Sequence, residues 1–273
     1  MIQAYAYTDD RGQYVPADEV VEGPADASGE PTFTWNGEHA NREFGKMGKS
    51  LKNIVTPDYM YENYGADTFR LYEMSMGPLD ESRPWNTRNV VGGMRFLQRL
   101  WRNVVDDTTG QAHVTEDTPD VKTLKLLNNT IAEVTAEMEG MRPNTAIAKL
   151  IVLNNHLTGL KAVPRAAVEP LILMLAPIAP HICEEMWSKL GHAESLSAEP
   201  WPVADERYVG HDTVTAVVQI KGKVRAKLEV PVDIDPADLE KQALAAVADR
   251  LGGKEPRKVI VKAPKIVSIV PAE

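Results

Sequence analysis

Cysteine is almost absent from this chain of 273 residues: Cys183 stands alone. One thiol can neither close an internal disulfide nor supply a multi-thiolate zinc or iron–sulfur site, so a secreted disulfide scaffold and a zinc ribbon are both excluded. A reducing cytoplasm is the compartment this implies. Long apolar runs are missing too. The longest candidate, Leu171 to Pro180, is interrupted by Pro177 and falls short of the roughly 18 residues a membrane span needs, so no membrane partner is expected. Met1 to Arg11 has neither the basic start nor the apolar stretch of a signal peptide.

Basic charge is scarce overall, with a net charge of −9, but the deficit is uneven. Residues 211–273 carry a net +2 and residues 1–210 a net −11, so any anionic partner would be met by the last quarter. The remaining composition, 43% hydrophobic and 25% charged, is that of an ordinary globular protein, and the length suits about two domains.

Residues 1–40 read as irregular with short strands. Ile2, Ala4 and Ala6 alternate with Gln3, Tyr5 and Tyr7, and the Asp9 to Gly12 turn leads into Tyr14-Val15, which is a hairpin signal. Glu22 to Gly37 reads as an exposed loop or short insertion. From Thr56 the pattern becomes helical: Thr56-Pro57-Asp58 is a cap, a first-position proline and an early acid, with Gly65 as the stop and a second helix from Ala66. Apolar stripes at helical spacing follow at Val90 to Val104, Leu124 to Met138 and Ile147 to Leu157, and a segment from Ala166 to Leu190 with three prolines reads as two helices. Long helices joined by short polar loops make an antiparallel bundle. After Trp201-Pro202 the period drops to two. Val214 to Leu228 reads as a hairpin, with Lys221, Lys223, Arg225 and Lys227 on one face and Ile220, Val224 and Leu228 toward the core. A helix over Pro236 to Leu251 and a strand over Lys258 to Lys262 complete a small α/β module.

The stretch that carries chemistry is Gly45-Lys46-Met47-Gly48-Lys49-Ser50. It ends like a phosphate-binding P-loop, but that motif needs glycine where Glu43 stands, an apolar strand where His39 to Arg42 is polar, and a helix where Asn53 to Pro57 is extended. Lys46-Met47-Gly48-Lys49-Ser50 resembles instead the K-M-S-K-S signature of class I aminoacyl-tRNA synthetases, with glycine in place of the central serine. Leu51-Lys52-Asn53-Ile54-Val55-Thr56-Pro57 and Tyr64-Gly65-Ala66-Asp67-Thr68-Phe69-Arg70-Leu71-Tyr72 resemble the segment that joins that loop to the tRNA-binding helices in the leucine, isoleucine, valine and methionine enzymes. Phe96 to Trp101, Asn144 to Ala148, Pro180 to Trp187 and Trp201 to Asp205 extend the likeness. Val218 to Lys227 and Arg257 to Ile260 are similar to the C-terminal domain of bacterial leucyl-tRNA synthetases.

This resemblance implies a mainly α fold in three parts. Residues 1–70 would be the end of the class I catalytic domain, residues 71–205 the helical anticodon-binding-type bundle, and residues 211–273 a C-terminal α/β tRNA-binding domain. It further implies leucine–tRNA ligase activity, with Lys46 and Lys49 catalytic, Lys46, Met47, Gly48, Lys49 and Ser50 on ATP, and Lys221, Lys223, Arg225 and Lys227 on tRNA(Leu). ATP, with its Mg2+, would be substrate, and no metal would be bound by the chain itself. Gly45 and Gly48 would let the loop close over the phosphates, and Met47 would pack beneath it.

The six histidines, at 39, 113, 156, 181, 192 and 211, never fall within three positions of one another, so the H-I-G-H element of class I synthetases is missing, as is an inserted editing domain. The expectation is a C-terminal third, inactive without the N-terminal catalytic and editing portion. A related valine, isoleucine or methionine enzyme and a non-catalytic tRNA-binding module stay open. His181 and Cys183, two apart on a helix, point to core packing rather than a metal site. Trp101 and Trp187 read as core, and Asn154-Asn155-His156 as a polar edge without a role.

Overall fold

The computed structural model describes residues 2–210, 213–232, 234–251 and 256–271. The chain divides into two compact units, Met1–Val209 and Gly210–Glu273.

The first unit opens with six strands: β1 (Ile2–Thr8), β2 (Tyr14–Val15), β3 (Val21–Ala25), β4 (Pro31–Trp35), β5 (Glu38–His39) and β6 (Asn41–Gly45). β1 runs antiparallel between β2 and β6, and its alternation buries Ala4 and Ala6. The expected hairpin forms, turning at Gly12 with φ of 77°. The Glu22–Gly37 stretch is not the loop expected: β3, β4 and β5 make a three-stranded sheet of their own. Two local causes explain it. Asn36-Gly37, with φ of 51° and 83°, provides the double positive-φ turn of a tight hairpin, and Phe33 buries its ring 5.3 Å from that of Tyr7.

Helices follow: α1 (Pro57–Tyr64), α2 (Ala66–Ser75), then the short strand β7 (Arg83–Pro84), which pairs parallel to β1, and α3 (Thr87–Val104), α4 (Val121–Glu139), α5 (Pro143–Thr158), α6 (Arg165–Leu175) and α7 (Pro180–Lys189). Thr56 caps α1 by accepting from the Tyr59 N–H, with Pro57 at the first helical position. The predicted stripes are buried where α3 to α7 meet. Leu100, Leu150, Leu157 and Leu171 are wholly enclosed in one core, each worth about 1.5–3 kcal/mol of transfer free energy. A second, smaller core of Met60, Tyr72, Trp85 and Val90 lies under α1, α2 and the start of α3.

Two expectations fail inside the bundle. Asn154 is no polar edge: it is fully buried, and its Oδ1 accepts from Asn103 Nδ2 at 2.8 Å, a bond between α3 and α5 that satisfies its oxygen. His181 is not core either. Its side chain is 74% exposed, because the first turn of α7 lies at the surface and Asp67 holds the imidazole there, whereas Cys183 two residues on is buried.

The second unit contains β8 (Thr213–Ile220), β9 (Lys223–Pro231), α8 (Pro236–Ala246), α9 (Ala248–Leu251), β10 (Lys258–Lys262) and β11 (Ile266–Val270). Its sheet order is β10-β11-β8-β9, with β11 parallel to β8 and the other pairs antiparallel. The helix expected over Pro236–Leu251 is broken at Val247, and β11 was not foreseen. Helices take 44% of the described residues and strands 22%, so the mainly α expectation holds in part: a helical bundle accompanied by sheets. Among the described residues no helix is long and apolar enough to cross a membrane.

Candidate functional site: a lysine loop anchored from below

β6 delivers the chain to Lys46, and the backbone then leaves the sheet as an extended loop that closes in a single 3-10 turn at Lys49–Leu51. β6 is a largely exposed edge and no α-helix begins at Ser50, so the geometry is not that of a P-loop. Lys46, Lys49 and Ser50 are exposed, and among the described residues neither lysine makes an ion pair. Two ammonium groups three positions apart, with no carboxylate compensating them, are suited to phosphate oxygens.

The underside of the loop is fixed. Met47 packs against the smaller core, as the sequence suggested, and its Sδ accepts from the Val55 N–H at 3.5 Å. Asn53, only 5% exposed, accepts from the Gly48 N–H at 2.9 Å and donates to the Lys46 carbonyl at 3.1 Å. Asn53 stands in the Leu51 to Pro57 stretch of the sequence with no role assigned to it, because that role exists only once Lys52, at φ of 50°, has turned the chain back. The loop glycines are not there for backbone conformation. Gly48 has φ of −171°, extended backbone open to any residue, and a Cβ at Gly45 or Gly48 would meet nothing within 4 Å.

α2 ties this region to the bundle. The Asp67 carboxylate accepts from the Ile182 N–H at 2.7 Å and from His181 Nδ1 at 2.8 Å, so it caps the N-terminus of α7 from a distant helix. Arg70, one turn on, donates to the carbonyls of Ile178 at 2.8 Å and Pro177 at 3.0 Å. Burial, with Asp67 and Glu184 nearby, pushes the Cys183 thiol well above its ordinary range, which makes it an inert packing group. A cleft of about 760 Å³ beside this junction is lined by Tyr64, Asp67, Gln98, Trp101, Arg102 and His181 among others.

α3 adds a feature that the apolar stripe overshadows in the sequence. Arg88, Arg95, Arg99 and Arg102 recur at spacings of seven, four and three, which places them along one side of the helix, and α3 has no acidic residue.

The four C-terminal basic residues are all exposed, yet they do not share one face. Lys221 sits in the two-residue turn, with φ of 49° beside Gly222 at 76°. The pairing of β8 with β9 shifts between Val218 and Gln219, leaving Arg225 as an extra, bulged residue. Opposed residues share a face, so Lys223 lies with Ile220 while Lys227 lies with Val217 on the other side. The same bulge turns Val224 outward, 52% exposed, where a core position was expected.

Residues 120–241 match the anticodon-binding domain of tRNA ligase. A leucine–tRNA ligase of Bifidobacterium longum strain DJO10A is 99% identical over 273 residues, all of this chain and 28% of that protein. Throughout its length the chain matches the C-terminal part of leucine–tRNA ligase. The Bifidobacterium adolescentis ligase is 86% identical over the same span, and that of Streptomyces coelicolor 57% identical over 278 residues, 100% of this chain and 28% of that one. The chain therefore spans 28% of the length of these curated relatives. Among solved structures it is similar to the LeuRS of Agrobacterium radiobacter K84 in a ternary complex with tRNA and LeuAMS. That match has a TM-score of 0.56 and 27% identity, and covers 82% of this chain and 31% of that one.

Proposed function

We propose that this chain supplies the ATP-phosphate loop and the tRNA-binding elements for ATP-dependent attachment of leucine to tRNA(Leu). The remainder of the ligase would contribute the H-I-G-H half-site, the leucine pocket and the editing domain. In this reading residues 1–70 end the catalytic domain, residues 71–205 form the tRNA-binding bundle and residues 211–273 the C-terminal tRNA-binding domain. The first boundary falls within α2. Residues 211, 212, 233, 252–255, 272 and 273 of the last part lie outside the described residues. A reducing cytoplasm is the compartment that goes with it.

The observation that carries the reading is the pair of exposed, uncompensated lysines above an anchored loop. Attack of a carboxylate on the α-phosphate of ATP expels pyrophosphate, and negative charge builds on phosphate oxygens in the transition state. Lys46 and Lys49 would meet that charge, with Met47, Gly48 and Ser50 completing the ATP-facing loop. Mg2+ would arrive with the nucleotide. Arginines along α3 and Lys221, Lys223, Arg225 and Lys227 would meet tRNA phosphates, the four C-terminal residues from both sides of a hairpin end.

The test is pyrophosphate exchange into ATP. The isolated chain should give none. In the complete Bifidobacterium ligase Lys49→Ala should slow leucine activation by about two to three orders of magnitude while tRNA affinity stays unchanged. Exchange at the unaltered rate in that variant would refute the loop assignment.

A further inference from the structure

We infer that Asn53 is a positioning residue for leucine activation, setting Lys46 and Lys49 as one unit through the backbone between them; this rests on the loop reading above. The oxygen of a carboxamide only accepts and its nitrogen only donates. Asn53 therefore accepts from the Gly48 N–H at 2.9 Å with one atom and donates to the Lys46 carbonyl at 3.1 Å with another, which a carboxamide does without titrating. Aspartate would lose the donor and set its charge against the carbonyl. Both bonds are part-buried, with Asn53 itself enclosed, and so leaving them half made would strand polar atoms of a buried side chain.

The two backbone groups flank Met47, whose side chain is anchored in the smaller core. One amide and one thioether thus fix the backbone from which both lysines project. Asn53 is itself held: the Ala17 N–H donates to the Lys52 carbonyl at 2.9 Å, just beyond β2, and Lys52 takes the left-handed conformation that turns Asn53 under the loop. Gly48 makes this anchoring necessary. Glycine is the residue with the most conformational freedom to lose, and here it lies between the two charged positions. The amide bond removes that freedom without filling space, leaving the exposed side of the loop clear for phosphates. The Asn53 bonds are internal to the 46–53 segment, so they survive any movement of the loop as a body.

Misplacing a reacting group by about 1 Å costs on the order of a hundredfold in rate. In the complete Bifidobacterium longum ligase, Asn53→Ala should therefore lower kcat for pyrophosphate exchange by about a hundredfold, leaving the KM for leucine and the affinity for tRNA unchanged. Asn53→Asp, which keeps the acceptor for Gly48, should fall between wild type and Asn53→Ala. Unchanged kcat in both variants overturns the inference. So does a parallel loss of melting temperature, tRNA affinity and kcat, which would make Asn53 a general structural residue. If Asn53→Ala does not fold, Asn53→Asp decides alone by the same split of kcat against KM. Lys49→Ala, run alongside, separates the role of the loop from that of its anchor. Full exchange in Lys49→Ala removes the loop reading itself, while slow exchange there with normal Asn53 variants removes only the positioning role.

Discussion

Asp67→Ala tests whether the bundle holds the segment that follows the loop. The Asp67 carboxylate satisfies the Ile182 N–H at the start of α7 and binds His181 Nδ1. Loss of a helix cap costs about 0.5–2 kcal/mol, and loss of a hydrogen bond to a charged group about 1.5–3 kcal/mol. The His181 side faces solvent and is screened, so it adds little, and the Ile182 bond dominates. Because the two costs overlap, about 2–3 kcal/mol is expected for the substitution. For a unit of this size 1 kcal/mol moves the midpoint by about 2–4 °C, so the melting temperature should fall by about 4–12 °C. All five tryptophans, at 35, 85, 101, 187 and 201, lie in the first unit, so intrinsic fluorescence on heating reports that unit alone. Asp67→Asn, which still accepts from the Ile182 N–H, should recover most of the loss, and His181→Ala should change little. A midpoint within about 1 °C of wild type for Asp67→Ala would refute the long-range cap. An Asn variant as unstable as the Ala variant would assign the stability to the carboxylate charge instead.

Three further outcomes are expected. Gly48→Ser should be accommodated and should raise stability by about 0.4–1 kcal/mol in denaturant titration, since the site has open space and extended backbone; destabilisation would mean that the glycine is required. Replacing Lys221, Lys223, Arg225 and Lys227 together by glutamine should flatten the salt dependence of tRNA binding, by roughly 0.7–0.9 in slope for each phosphate no longer neutralised, with leucine activation intact. An unaltered slope would leave the α3 arginines to meet the tRNA. The third concerns acid. Backbone N–H donors from Thr123 hold the Asp120 carboxyl below its usual range, and those of Thr109 and Thr108 do the same for Asp106. A depressed folded pKa stabilises above the unfolded value of about 3.9, and that contribution is lost as pH falls through the lower folded value. Asp120→Asn, which caps without titrating, should flatten the acid limb of a stability–pH curve below about pH 4, and an unchanged limb would exclude the cap as its source.

The parts legible in the sequence were those written in local chemistry. Thr56-Pro57 and Gly65 bounded α1, and the apolar stripes marked the bundle helices, whereas Lys46 and Lys49 were singled out by the resemblance to the K-M-S-K-S signature and not by local chemistry. What escaped depended on partners far along the chain. Asn154 looked like a polar edge because the partner of its buried oxygen, Asn103, lies 51 positions away. His181 looked like core because nothing near it in sequence announces Asp67, 114 positions earlier. The bulge at Arg225 cannot be seen in a period of two, since one extra residue reverses every assignment beyond it. The β3–β5 sheet was legible in principle. Asn36-Gly37 is a strong hairpin signal, but acidic and glycine-rich surroundings outweighed it.

The placement of α2 joins these observations. Leu71 belongs to the large bundle core and its neighbour Tyr72 to the smaller core on which Met47 packs, so two adjacent side chains of one helix face different interiors. A packed interior transmits displacement because it has few voids in which a shift can be absorbed. Asp67 and Arg70 meanwhile fix the first two turns of that helix to the start of α7 and to the connection preceding it. From α7 to the lysines there is accordingly an unbroken physical series: the Asp67 cap, the α2 helix, the core of Met60, Tyr72, Trp85 and Val90, then Met47 and the Lys46–Lys49 backbone. A change in how α7 and its neighbours sit would reach the loop through α2. The energetic coupling this implies would appear as non-additivity when Asp67→Ala is combined with Asn53→Asp and kcat for exchange is measured. Strict additivity of the two would show that the loop and the bundle share a wall without sharing a response.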